Sequence, residues 1–391
     1  MVTPERSMAA PPLVNRLRFM NALRTFAALW VVVAHCILWG RFPLWFPNPQ
    51  LAVDLFMMLS GFLMVATMEA REHRQRLTAV ATWLGFYIRR FFRLAPLYYV
   101  CLVVAVLTRE WFVGGYQTLF DADVARWGGP GSHFNPAFTS YGFRSLAAHV
   151  TFVFGLSPQF VFSTMFGDWS LSLEMQFYLV FPALLLLARR FGFALVAVTL
   201  TAFGLLARHV AFEWYVEPGP LPFLLDYFVI GMLLHEAVAR KRDWLVGLCL
   251  LIIGSDWSLY GRSVVLMIPV VLVIWLLAST RMAGLPGVGL VRRLLENRLF
   301  DVGADVSYGI YLIHGFFISA AGLTLFHFGT YLALPSSEQF LIMATLVVVG
   351  SIAVSLVAHQ LIERPGIRLG ALVNARVASE LARRKADPQT T

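Results

Sequence analysis

The chain has 391 residues, of which 59% are hydrophobic, and its mean hydropathy is +0.71. It is too apolar for a soluble domain and too long for a single anchor, so composition predicts an all-α, polytopic integral membrane protein. Its apolar runs are continuous, which excludes the alternating pattern of a β-barrel. The net charge of +9 sits in clusters between apolar runs, so it points to contact with membrane lipid and not to nucleic acid. Cys36, Cys101 and Cys249 all fall inside apolar segments, with neither a disulfide framework nor a metal-ligand spacing, so no metal is expected.

Residues 1–18 are polar and Pro-rich and read as a cytoplasmic tail. Spans are predicted near 20–39, 51–68, 86–107, 169–188, 192–211, 222–239, 244–260, 263–280, 299–325 and 340–362. Ten spans put both termini in the cytoplasm, with a membrane domain over 19–365 and a C-terminal tail over 366–391. This topology places 25 of the 31 basic residues inside, as the positive-inside rule requires. The stretch 108–144 reads as the one long outer loop, and 145–163, interrupted by Pro158, as an amphipathic helix on the outer surface.

Arg24 and His35 share one apolar run. Eleven residues of helix come within about 20° of three full turns, so both side chains lie on one stripe. They stand ~16 Å apart along the axis, about half the hydrocarbon thickness, which puts His35 near mid-membrane. A titratable group at that depth is costly unless it is hydrogen-bonded in the bundle or does chemistry. A neutral imidazole there is a candidate general base.

Arg89, Arg90 and Arg93 follow in FYIRRFFRLAPLYY, at the cytoplasmic entrance to the third span and ahead of Pro96. Clustered guanidinium forks suit phosphate groups, and equally the headgroups of anionic lipid. VDLFMMLSGFLM carries Asp54, which can orient a histidine or bind a hydroxyl, and Ser60-Gly61, where the glycine suits close helix packing. No nucleophile elbow is present. In GDWSLSLEMQFYLVFP, Trp169 suits the membrane interface, while Glu174 lies about a turn below it and needs a partner, a sugar hydroxyl or a proton. In DVGADVSYGIYLIHG, Ser307, Tyr311 and His314 share a face, making His314 the alternative base. LIERPG reads as a helix stop, with Glu363 placed to meet a basic residue across the bundle.

Six motifs in this order resemble the membrane-bound acyltransferase 3 family. They are Arg24-x10-His35; Asp54 with Ser60-Gly61-Phe62; Arg90-x-x-Arg93 ahead of Pro96; Trp169-Ser170-Leu171…Glu174…Phe177-Tyr178…Pro182; Ser307-Tyr308…Tyr311…His314; and Glu363…Pro365. The resemblance implies a bacterial inner-membrane enzyme that moves an acyl group, usually acetyl, from cytoplasmic acetyl-CoA to a hydroxyl of a carbohydrate or lipid-linked glycan acceptor. Carried over by position, it implies that His35 is the catalytic histidine, Arg24 its companion, and Arg90 and Arg93 contacts for the donor. On the reading of the residues themselves, Glu174 joins the catalytic set, Arg89 the donor contacts, and Asp54, Trp169, Ser170, Tyr311 and His314 the substrate side. Some relatives carry a fused extracytoplasmic hydrolase-like domain, which this sequence does not include. His35 can serve either as a base for direct transfer or as an acylated intermediate. The rival reading is a proton-coupled transporter using His35, Glu174 and His314, which matching halves with similarly broken helices would favour; none is visible.

Overall fold

A computed structural model describes residues 17–40, 42, 48–72, 77, 79–123, 142–164, 166–215, 217–255 and 265–386. Among the described residues there are helices and turns and no strand. The helices are α1 (Phe19–Trp39), α2 (Pro49–Glu72), α3 (Val80–Leu107), α4 (Arg109–Ala122), α5 (Phe143–Val150), α6 (Trp169–Phe191) and α7 (Phe193–Ala211). They continue with α8 (Leu225–Arg240), α9 (Trp244–Ser255), α10 (Met267–Ala278), α11 (Pro286–Leu295), α12 (Arg298–Leu325), α13 (Ser336–Ala358) and α14 (Arg364–Ala386).

Seven helical stretches are long and apolar enough to cross a membrane, and helices α8, α9 and α10 stand at the other three positions where spans are predicted. With 16, 12 and 12 residues these three are shorter than a span needs. Helix α8 has a reason to differ. All its residues from Leu225 to Val238 are buried, so it is the axis of the bundle and does not face lipid. The chain between α9 and α10, at 256–264, lies outside the described residues. Outward faces elsewhere carry bare apolar side chains, such as Leu107, Leu195 and Leu341, as a lipid-facing surface requires.

Helices α2 and α8 cross with their backbones in contact. A Cβ on Gly61 would stand 2.0 Å from the Phe228 carbonyl oxygen, and one on Gly231 would stand 2.0 Å from that of Met58. Gly61 therefore serves helix packing, one of the two roles open to the Ser60-Gly61 pair. Helix α12 begins where the Asn297 side chain accepts the backbone N–H groups of Leu299 and Phe300. It runs parallel to α1, zipped to it by Arg18 and Asn21 on Asp301 and, further along, by His35 on His314.

Three expectations change. The outer loop over 108–144 contains α4, which packs on α12 and receives the Ser319 hydroxyl on the Phe112 carbonyl at 2.7 Å; residues 124–141 lie outside the described residues. LIERPG is not a stop. A π-helical turn, His359–Glu363, joins α13 to α14 and lets Pro365 enter the first turn of α14, where its missing N–H leaves no hydrogen bond unmade. Residues beyond 365, read as a tail, are helical to Ala386, and α14 packs back antiparallel on α3, with Gly366 over Pro96 and Gly370 over Phe92. The 145–163 stretch forms the eight-residue α5 and a 3-10 turn, too short to span, with Phe143 and Val150 exposed.

Candidate active site

Helices α1, α2, α3, α6 and α12 enclose a cavity of about 300 Å³. Arg24, Arg90 and Arg93 all line it, with Glu174 as its one carboxylate, and the polar atoms of Ser60 and Ser170 join them. Phe56, Met57, Leu63 and Leu94 supply apolar wall. Among the described residues, three cations against one anion give the cavity lining a net positive charge, suited to an anionic ligand.

Three of the four charged side chains have contacts that hold them. The Arg90 guanidinium lies over two aromatic rings, Tyr178 at 5.6 Å and Phe86 at 5.7 Å from the centroids. Glu174 accepts hydrogen bonds from the Tyr178 hydroxyl and from Ser60 Oγ at 3.3 Å. Arg24 donates to Ser307 Oγ at 3.4 Å, and the Ser307 hydroxyl donates in turn to the Ala304 carbonyl. Arg89, adjacent to Arg90 and so rotated 100° from it, does not line the cavity; it points into the seam between α3 and α14.

At the far end Tyr311 closes the cavity. Its hydroxyl donates to the Gly167 carbonyl at 2.7 Å and lies 2.6 Å from Ser170 Oγ, which donates to it. Gly167 has φ +74°, a left-handed conformation open to glycine, and a Cβ there would stand 3.9 Å from the His314 ring. Beyond Tyr311 lie the two histidines. His314 Nδ1 is 2.5 Å from the Tyr311 carbonyl oxygen, and His314 Nε2 is 3.0 Å from His35 Nδ1.

These contacts assign the protons. A carbonyl oxygen only accepts, so His314 carries its proton on Nδ1 and offers a lone pair at Nε2. His35 must then donate from Nδ1. That leaves His35 Nε2 unprotonated, the state a general base or nucleophile requires. The two candidate bases of the sequence are thus one pair, His35 in front and His314 orienting it. His314 is buried and His35 partly accessible, in keeping with those roles.

Asp54 and Trp169 stand apart from the cavity. Asp54 is fully buried and accepts from the Gln50 amide at 3.0 Å; Trp169 is buried at the start of α6. Glu363 is buried, accepts from His359 Nδ1 at 3.3 Å, and acts electrostatically on Arg93 and Arg24, so the expected basic partners lie across the bundle without a direct ion pair.

Two groups absent from the sequence reading belong to the Tyr311 end. Asp168 gathers Thr164, Tyr98 and His149, the last at 3.6 Å, and so fixes the turn that presents the Gly167 carbonyl to Tyr311. Its signal was its place inside GDWS, at the N-terminus of a helix. Glu217 lies in the α7–α8 connection, clamped by Gln176, which donates to the Gly219 carbonyl and accepts from Leu221 N–H. Its carboxyl has no hydrogen-bond or ion-pair partner among the described residues, and burial pushes it up to about 7. No local pattern marks it. Among the described residues no group of three or more His, Cys, Asp or Glu could hold a metal ion.

A family model described as an acyltransferase domain (acyltransferase 3) matches residues 17–359. The exopolysaccharide production protein ExoZ of Rhizobium meliloti is 28% identical over 348 residues, covering 86% of this chain and 94% of that protein. The peptidoglycan O-acetyltransferase OatA of Listeria monocytogenes is 30% identical over 171 residues, 43% of this chain, and the match covers only 24% of OatA. No solved structure matches.

Proposed function

Because the chain belongs to the acyltransferase 3 family and is a multi-pass membrane O-acyltransferase, we propose that it takes an acyl group, acetyl by preference, from acyl-CoA on the cytoplasmic side and transfers it to a hydroxyl of a carbohydrate or lipid-linked glycan outside. The relatives, one a peptidoglycan O-acetyltransferase and the other an exopolysaccharide production protein by name, support the acceptor class. One observation carries the donor side: a cavity with three arginines and one carboxylate that reaches Tyr311, with the histidine pair, whose free lone pair is on His35, one turn further along α12 and outside the cavity lining.

The cavity fits a donor that is anionic at one end and thin and apolar along its arm. Arg90, Arg93 and Arg24 hold the phosphates, and the apolar wall from Leu63 to Phe56 guides the arm toward Tyr311. His35 Nε2 takes the proton of the acceptor hydroxyl as its oxygen bonds to the acyl carbon. The C–S bond then breaks, and the imidazolium returns the proton to the departing thiolate, so charge and protons balance. Between those events the extra charge is shared through His314 to the Tyr311 carbonyl. Glu174 and Ser170 line the same cavity, and Ser170 donates to the Tyr311 hydroxyl on the side toward the histidine pair.

The test is NMR of the surface glycan from cells carrying the wild-type chain, His35→Ala or neither. Ester-linked acyl signals present with wild type and lost in the variant are the expected result, and they also name the acyl group and the modified hydroxyl. Ester unchanged in a correctly inserted His35→Ala protein removes His35 from the chemistry.

A further inference from the structure

Glu217 is firmly positioned, yet the hydrogen-bonding capacity of its carboxyl is unused. It opens the turn Glu217-Pro218-Gly219-Pro220 between α7 and α8. Its carbonyl accepts the Gly219 N–H at 2.8 Å, and the two prolines fix φ on either side of that glycine, so the turn is stiff. Packing pins it to α6. A Cβ on Gly219 would stand 2.5 Å from the Gly155 carbonyl oxygen, and the Gly155 N–H in turn donates to Ser172 Oγ at 3.1 Å. One turn further along α6, Gln176 donates to the Gly219 carbonyl at 3.0 Å and accepts the Leu221 N–H at 2.9 Å.

These contacts set the turn beside the end of the cavity that Tyr311 closes. Ser170, bonded to the Tyr311 hydroxyl, precedes Ser172 by two residues and Gln176 by six, rises of ~3 and ~9 Å along α6. The Glu217 carboxyl accordingly acts on Tyr311 electrostatically, as do those of Asp168 and Glu174. Those two carboxylates each accept from two hydroxyl groups, Thr164 and Tyr98 for Asp168, Ser60 and Tyr178 for Glu174. Glu217 accepts from none among the described residues. It is also not sealed: Pro218 to Leu221 are buried, whereas Glu217 is partly exposed. A crowded carboxyl without a partner is costly unless a ligand completes it.

We propose that Glu217 is an acceptor-binding residue, whose carboxyl takes hydroxyl groups of the glycan beside Tyr311 and so fixes how the sugar enters. The inference rests on the acyltransfer reading above. Sugar hydroxyls both donate and accept, so they satisfy a carboxyl in either protonation state, and burial places this one at about 7, where both states are populated. A metal ion would need further ligands, and the described residues offer no group of three. The far end of α6 carries Arg189 and Arg190, which the positive-inside rule assigns to the cytoplasm, so Glu217 stands on the side where a glycan is met. Glu217 does not line the donor cavity, so donor and acceptor binding can be read separately.

The full chain, purified in detergent, is given acetyl-CoA and surface glycan isolated from cells that lack the chain, and ester formation is followed at rising glycan concentration. Glu217→Ala is expected to raise the KM for glycan about tenfold, the loss of one charge-assisted hydrogen bond, with affinity for coenzyme A kept. Glu217→Gln, which retains an acceptor oxygen without the charge, is expected to fall between wild type and Glu217→Ala. Its thermal midpoint at pH 8 is expected at or above that of wild type, so weaker use of the glycan in a protein no less stable reports lost binding and not lost fold. An unchanged KM in Glu217→Ala overturns the subsite, and so does a rise matched by an equal loss of coenzyme A affinity. Wild type that esterifies no glycan overturns the acyltransfer reading itself, a result distinct from failure of the subsite alone.

Discussion

His314 gives the sharpest quantitative expectation. Replacing it with alanine removes the acceptor for His35 Nδ1–H, a 3.0 Å contact at a residue only 3% exposed. In the resting enzyme this is an ordinary hydrogen bond. When His35 gains a proton it becomes charge-assisted, worth about 1.5–3 kcal/mol, so its loss lowers the rate roughly 10- to 150-fold. Glutamine at 314 can still place an oxygen acceptor toward His35, so His314→Gln should recover part of the rate that His314→Ala loses. His35→Ala should lose more than either, and His314→Ala should then add nothing further. The assay is release of coenzyme A thiol from acetyl-CoA by the purified full chain, with donor affinity measured alongside to verify the fold. Equal loss in His314→Ala and His314→Gln, or a further loss when His314→Ala is added to His35→Ala, refutes the assigned tautomer and gives His314 a task of its own.

Three more outcomes follow from the geometry. Arg90→Ala/Arg93→Ala should weaken acetyl-CoA binding by tenfold or more, measured by displacement of labelled donor, since each lost guanidinium removes a charge-assisted contact. Gly61→Ala should cost about 1–3 kcal/mol, read as a lower thermal midpoint in detergent, because its Cβ meets backbone that cannot turn aside. Glu217 has a pKa raised to about 7, so the folded chain holds a proton there that the unfolded chain releases nearer its ordinary value. Stability from this group is therefore full below about pH 4.5 and falls as pH rises through 7, by up to about 3 kcal/mol. Glu217→Gln should raise the midpoint at pH 8 and leave it little changed at pH 5.

Much of this was legible from spacing. The eleven-residue interval on α1 and the seven-residue interval on α12 each put two polar groups on one face, and the fold brings those faces together at Arg24 with Ser307 and at His35 with His314. Positions of the helices were legible too, because runs of apolar residues mark them whatever surrounds them. What periodicity does not carry is which neighbour a face meets. Arg89 and Arg90 look alike in sequence, yet 100° of rotation sends one to a seam and the other to a cavity. Helix α8 reads as one span among ten, although burial on every side makes it the axis. Pro365 reads as a terminator because the usual rule concerns an α-helix, and a π-turn changes the hydrogen-bond count before it. Glu217 is set by a clamp formed from residues some forty positions away in α6.

The crossing of α2 and α8 has a consequence for how such an enzyme diversifies. Glycines weld the back of α2 to the bundle axis, while its front presents Phe56, Met57, Leu63 and Met64 to the cavity. The backbone of that wall cannot retreat, but its side chains are mostly unbranched at Cβ and vary freely in length. Single exchanges among them would reshape the cavity without disturbing the arginines or the histidine pair. Change in the shape of the cavity is thereby uncoupled from change in the fold.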